Sequence, residues 1–181
     1  GAELEWCEPS GGMRGAIETA KALAVEDGVH ELGQFTRPEN VDTHYRTTGA
    51  EIVAAIDSVD AFVAGIGTGG TIMGVGKRLR EAFPGVKVIG VEPRLGDRLQ
   101  GLRSLAEGYI PPLLDLDSLD GRFLVDSASA IAAARRVVES EGFLAGVSSG
   151  ATLTGALRIA ERLNHGNIVV MFSDGGWKYL P

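Results

Sequence analysis

DAFVAGI–GTGGT–IMGVGKRLREAF–PG–VKVIGVE, residues 60–92, reads as a strand, a glycine-rich turn, a helix and a second strand. The apolar run 60–66 is too short for an ordinary helix and is closed by glycine, which marks a buried strand. Residues 72–83 form the helix, stopped at Pro84-Gly85, and 86–92 form the next strand. A crossover of this length allows the two strands to lie parallel.

The same alternation extends outward. Downstream, RFLV (122–125), FLAGV (143–147) and NIVVMF (167–172) read as strands, with SASAIAAARRVVESEG (127–142) and SSGATLTGALRIAERL (148–163) as helices between them. Upstream, AELEW (2–6) reads as a short strand. Ser10 is expected to cap a helix from about Gly12 to Glu26, with Met13, Ile17, Ala20 and Ala24 on one face. QFTRPEN is read as a loop, THYRTTGAEIVAAI as one helix, and 93–120 as a long, arginine-bearing functional loop. Strands buried on both faces and separated by helices predict an α/β protein with a three-layer, open, mainly parallel sheet.

With 181 residues, there is room for one sizeable domain or for a domain plus a remnant of another. A net charge of −7 weighs against nucleic acid, whose phosphates demand a basic face. No apolar run is long enough to span a bilayer, and the N-terminus has no signal-peptide pattern. The single cysteine, Cys7, excludes an internal disulfide and fits a reducing, cytoplasmic setting. His30, His44 and His165 are too scattered for a metal site and read as surface or capping residues. No metal site is expected.

Three glycine-rich turns, GTGGT (67–71), GVSSGAT (146–152) and SDGG (173–176), are expected at strand carboxyl ends, where open parallel sheets bind ligands. The first opens a helix, so its N–H groups and the helix dipole face any anion placed there. Thr68 and Thr71 add hydroxyl donors, a combination suited to a phosphate monoester. Gly65, Gly67 and Gly70 also spell G-x-G-x-x-G, with Glu92 at a strand end 22 residues later, which is the spacing of a nicotinamide-dinucleotide site. Both readings stand on spacing alone.

AFVAGIGTGGTIMGVGKRLRE resembles the phosphate-binding loop of fold-type-II pyridoxal-phosphate enzymes. HYRTTGAEI, EGFLAGVSSGATLTGAL and NIVVMFSDGGWKYL resemble successive landmarks of the cysteine synthase and cystathionine β-synthase family. The likeness runs along nearly the whole chain but covers only the C-terminal portion of a family member. It implies residues 1–33 as a remnant of the smaller domain and 34–181 as the large, cofactor-binding domain. It implies pyridoxal 5'-phosphate as cofactor, its phosphate held by Gly67, Thr68, Gly69, Gly70 and Thr71. Ser148 would accept or donate a hydrogen bond at the pyridine nitrogen, with a helix N-cap as its ordinary alternative, and Gln34 would face the substrate carboxylate. A neutral hydroxyl at that nitrogen favours β-replacement on a serine derivative over transamination.

The loop EPRLGDRLQGLRSLAEGYIPP and the GWKYL ending resemble the branch that uses O-phosphoserine and a sulfur-carrier protein, with Arg103 as the phosphate-recognising residue. The resemblance thus implies a cysteine-forming transferase or lyase, an amino-acid substrate and a homodimer. The family's Schiff-base lysine motif, resembling P-x-x-S-x-K-D, and its T-S-G-N-T substrate loop do not occur in these residues. Lys21, Lys77, Lys87 and Lys178 lack that context, so no catalytic residue is assigned, and a silent fragment is expected. The alternatives are a non-catalytic remnant or partner module, a cystathionine β-synthase and, more remotely, a nicotinamide-dependent enzyme.

Overall fold

In the computed structural model, residues 1–179 are described, and the end of the closing WKYLP segment, residues 180–181, lies outside them. The chain divides into two compact units, Gly1–Gly33 and Gln34–Pro181.

The first unit holds a 3₁₀ turn at Pro9–Gly11 and helix α1 (Gly12–Leu23), and none of its residues is buried. The strand expected at 2–6 does not form, since no neighbouring strand pairs with it and strand propensity alone carries little. Ser10 lies within the 3₁₀ turn and caps nothing. The α1 N-cap is Gly11, and α1 ends at Leu23, short of Glu26.

The second unit contains α2 (Pro38–Arg46), α3 (Thr48–Ala55), β1 (Ala61–Gly65), α4 (Gly70–Ala82), β2 (Lys87–Pro93), β3 (Gly121–Val125), α5 (Ser127–Glu141), α6 (Val147–Ala160) and β4 (Ile168–Val170). The sheet order is β3-β2-β1-β4 and every pairing is parallel, so an α/β fold with an open parallel sheet is what forms. Alternation along β1 and β2 divides the core between two faces. Phe62, Ala64 and Val88 pack with Ile72, Val75 and Leu79 of α4 on one face. Val63, Ile89 and Val91 pack with Ala130 of α5 and with Ala151 and Ala156 of α6 on the other. These are the three layers.

Four expectations need correction. QFTRPEN is not all loop, because Pro38 starts α2, where its missing N–H costs nothing. The helix expected over 43–56 breaks at Thr47 (φ −106°, ψ −84°), whose hydroxyl donates back to the Thr43 carbonyl at 2.8 Å. FLAGV is not a strand and makes only one bridge, Ala145 to Gly175, leaving Phe143 exposed. Burial on both faces holds for β1 and β2 but not for β3, an edge strand whose side chains alternate in exposure.

Candidate functional site

The turn after β1 is built by its neighbours as much as by its own glycines. Gly69 has φ +91° and caps α4, a conformation that side chains with a Cβ rarely adopt. A Cβ on Gly70 would strike the Asn40 amide, and one on Gly74 would sit 2.8 Å from His44 Cβ. Glycine at these two positions lets α2 lie directly on the start of α4, which brings two polar side chains of α2 onto the turn.

Asn40 Nδ2 donates to Thr68 Oγ1 at 3.1 Å and to the Gln34 carbonyl at 2.9 Å. The N–H of Gly70 also donates to Thr68 Oγ1, at 3.2 Å. With both lone pairs engaged, the Thr68 hydroxyl has only its proton left to offer, which makes it a donor fixed toward an anion. Thr71 Oγ1 lies 3.0 Å from His44 Nε2, and His44 Nδ1 lies 3.0 Å from Thr48 Oγ1. Burial holds His44 below its ordinary value, so the ring is neutral at pH 7. An anion that takes the Thr71 proton selects the tautomer with hydrogen on Nε2, with Thr48 donating to Nδ1. His44 is therefore neither a surface nor a capping residue, and it couples the turn to α3.

Among the described residues, no protein acceptor meets the backbone N–H groups of Gly67, Thr68, Gly69 or Thr71. Unpaired amides at a helix N-terminus, together with the two hydroxyls, form an anion cradle that suits a phosphate monoester.

GVSSGAT, expected as a turn at a strand end, is instead the start of α6, since no strand precedes it. Ser148 lies inside α6, behind the N-cap Gly146, so it does not cap the helix. It is buried, and its hydroxyl is 3.4 Å from Asp174 Oδ1. Tyr179 O–H donates to Asp174 Oδ2 at 2.7 Å, and burial together with this bond pushes Tyr179 up to about 12. Segment 99–103 stands between the glycine turn and Ser148. Its Gly101 carbonyl stands against Gly67, Gly101 itself faces Ser148, and Arg103 N–H donates to the Ile66 carbonyl at 2.8 Å.

The Arg103 guanidinium lies 5.5 Å from the Phe35 ring and 5.3 Å from the Tyr109 ring, and no carboxylate pairs with it among the described residues. Gln34 is exposed, with its backbone carbonyl tied to Asn40. Glu92 does not suit a ribose, because it is buried and already bonded to Arg122 at 2.7 Å and to the Leu105 N–H at 2.6 Å. That removes the residue a dinucleotide site needs. No group of metal-ligating side chains stands together among the described residues, and no described helix is long and apolar enough to cross a membrane.

Sequence reading singled out the turn, Ser148, Gln34 and Arg103. It did not single out Asn40, His44, Asp174 and Tyr179, whose contacts reach those residues only in the folded chain.

Comparison with known proteins finds relatives along nearly the whole chain. A family model for pyridoxal-phosphate dependent enzymes matches residues 1–174. A cysteine synthase from Staphylococcus aureus is 39% identical over a 190-residue alignment that takes in 99% of this chain and 61% of that protein. The solved structure of an O-ureido-L-serine synthase superposes with a TM-score of 0.90 at 34% identity, over 98% of this chain and 60% of that one. A cysteine synthase from Entamoeba histolytica gives 0.86 at 33% identity, over 98% and 56%. The chain thus spans about three fifths of the length of the curated relatives it matches.

Proposed function

Because this chain belongs to the family of pyridoxal-phosphate dependent enzymes, we propose that its Gln34–Pro181 unit holds the phosphate and ring-nitrogen ends of pyridoxal 5'-phosphate in a cysteine-forming enzyme acting by β-replacement. The observation that carries this reading is the cradle after β1, with unpaired amides at the α4 N-terminus beside a Thr68 hydroxyl whose only remaining role is to donate. The cofactor, when bound, supplies an electron sink for chemistry at the amino acid's α- and β-carbons.

Each residue then has a task. The amides of Gly67 to Thr71 and the two threonine hydroxyls bind the phosphate, and Asn40 and His44 hold those hydroxyls in place. Ser148 faces the ring nitrogen. Gln34 stands ready for the substrate carboxylate at the edge of the turn. Residues 1–33 are read as part of a smaller domain whose remainder the longer relatives carry. Cysteine synthesis rather than cystathionine synthesis, a homodimer, a sulfur-carrier donor and a cytoplasmic setting belong to the same proposal.

Arg103 favours O-phosphoserine over O-acetylserine as the substrate. Packed against two rings and without an acid partner, it keeps its donor fork for an incoming dianion. Arg103→Ala in the full-length enzyme should lower kcat/KM for O-phosphoserine by about 2 kcal/mol, with little change for O-acetylserine. Steady-state kinetics on the two substrates checks this, and equal losses on both would assign Arg103 to loop packing alone.

A further inference from the structure

We propose that Phe35 and Tyr109 are specificity-determining positioning residues, which hold the Arg103 guanidinium so that the enzyme selects a serine ester carrying a dianionic phosphate. The proposal rests on the reading that Arg103 meets the substrate's phosphate, and it extends that role to two rings that the sequence motifs do not point to.

Arg103 is held at both ends. Its backbone N–H donates to the Ile66 carbonyl at 2.8 Å, which pins its main chain beside the last residue before the glycine turn. Its guanidinium lies 5.5 Å from the centre of the Phe35 ring and 5.3 Å from that of Tyr109. The two rings are 5.9 Å apart and cross at 84°, an edge-to-face pair that forms a corner. A flat cation seated in such a corner is attracted to both rings and cannot swing away without losing one of them. The rings attract its charge without tying up its N–H groups as a carboxylate would, so the donor fork stays available to an anion.

The rings are themselves anchored. Phe35 is buried and follows Gln34, whose carbonyl accepts from Asn40 Nδ2 at 2.9 Å. Tyr109 follows Gly108, whose φ of +80° turns the chain back after the 3₁₀ turn Leu105–Glu107. The Leu105 N–H donates to the buried Glu92 carboxylate at 2.6 Å, which ties that turn to β2. A free arginine gives up the rotamer freedom of a long side chain each time it binds an anion. One already seated in the corner has lost that freedom beforehand, so more of the phosphate contact appears as affinity. With Gln34 at the substrate carboxylate, the very next residue sets where the phosphate contact lies. The two together fix the length of substrate that reaches both.

The test is steady-state kinetics of the full-length enzyme, read as the ratio of kcat/KM on O-phosphoserine to that on O-acetylserine. Tyr109→Leu should lower the ratio roughly two- to fivefold, the worth of one cation–ring contact, through a higher KM for O-phosphoserine rather than a lower kcat. Phe35→Leu, on the other ring, should lower it alike and serves where Tyr109→Leu folds poorly. Tyr109→Phe should keep the parent ratio, because the ring remains and the tyrosine hydroxyl has no partner among the described residues. In an Arg103→Ala background, Tyr109→Leu should change the ratio no further. Lost packing alone would weaken both substrates alike and leave the ratio where it was, which would overturn the proposal. A further fall in the Arg103→Ala background would overturn it too. A parent ratio kept by Arg103→Ala itself would overturn the phosphoserine reading, and the proposal with it.

Discussion

Gly74→Leu should cost about 3 kcal/mol of stability and abolish anion binding at a turn it does not touch. A Cβ at residue 74 would meet His44 Cβ at 2.8 Å and the Tyr45 backbone nitrogen at 2.9 Å, and would press harder still on the Val41 carbonyl. Two of these three obstacles are backbone, which no rotamer change relieves. Helix α2 must therefore move off α4, although leucine's better helix propensity returns about 1 kcal/mol. As α2 leaves, Asn40 withdraws from Thr68 and His44 from Thr71. Gly15→Ala is the control. It has open space on α1 and should stabilise by roughly 0.5–1 kcal/mol. Denaturant melts with phosphate titrations check both, and a Gly74→Leu chain as stable as its parent would contradict the packing described here.

Incubation with pyridoxal 5'-phosphate followed by borohydride reduction should leave all four lysines of the 181 residues unmodified. Covalent attachment needs an amine held against the cofactor's aldehyde. Lys77 Nζ lies over the Tyr45 ring at 5.1 Å, on the α2 side of α4. Lys87 pairs with Asp120 at the first residue of β2, about 13 Å of strand away from the glycine turn. Lys178 sits in the closing 3₁₀ turn, and Lys21 lies on α1 in the first unit. Mass spectrometry of the reduced peptides decides the point. A stoichiometric adduct on one lysine, with cysteine formed in the same sample, would show that these residues carry the covalent chemistry after all.

Residues 60–93 were legible because strand, turn and helix each carry a local signal. A short apolar run, clustered glycines and Pro84-Gly85 together fix β1, α4 and β2 to within two residues. The errors fall where the deciding interaction is remote or weakly encoded. A strand at 2–6 requires a pairing partner, which an alternating sequence cannot supply by itself. FLAGV carries the apolar signal of a strand, yet its one bridge depends on Gly175, thirty residues downstream of Ala145. The break at Thr47 has neither proline nor glycine to announce it.

The site divides in the same way. The phosphate turn shows itself in five consecutive residues. Its support from Asn40 and His44 depends on α2 crossing glycines at 70 and 74, a contact between segments 27 to 30 positions apart. Two spaced glycines on a helix that follows a phosphate turn are the one signal that another backbone lies against it. Asp174 and Tyr179 stand in a motif that the sequence reading quoted, but the bonds from Ser148 and Tyr179 to Asp174 depend on how the last segment folds back over Gly146.

The central claim is that the turn after β1 is built to hold a phosphate, and a crystal of this chain grown or soaked in sulfate tests it most directly. The account predicts an anion within hydrogen-bonding distance of the backbone nitrogens of Gly67 to Thr71 and of Thr68 Oγ1, with Asn40 still bonded to Thr68. An ordered turn left empty at high sulfate, or one whose threonine hydroxyls point away from the helix start, would contradict it.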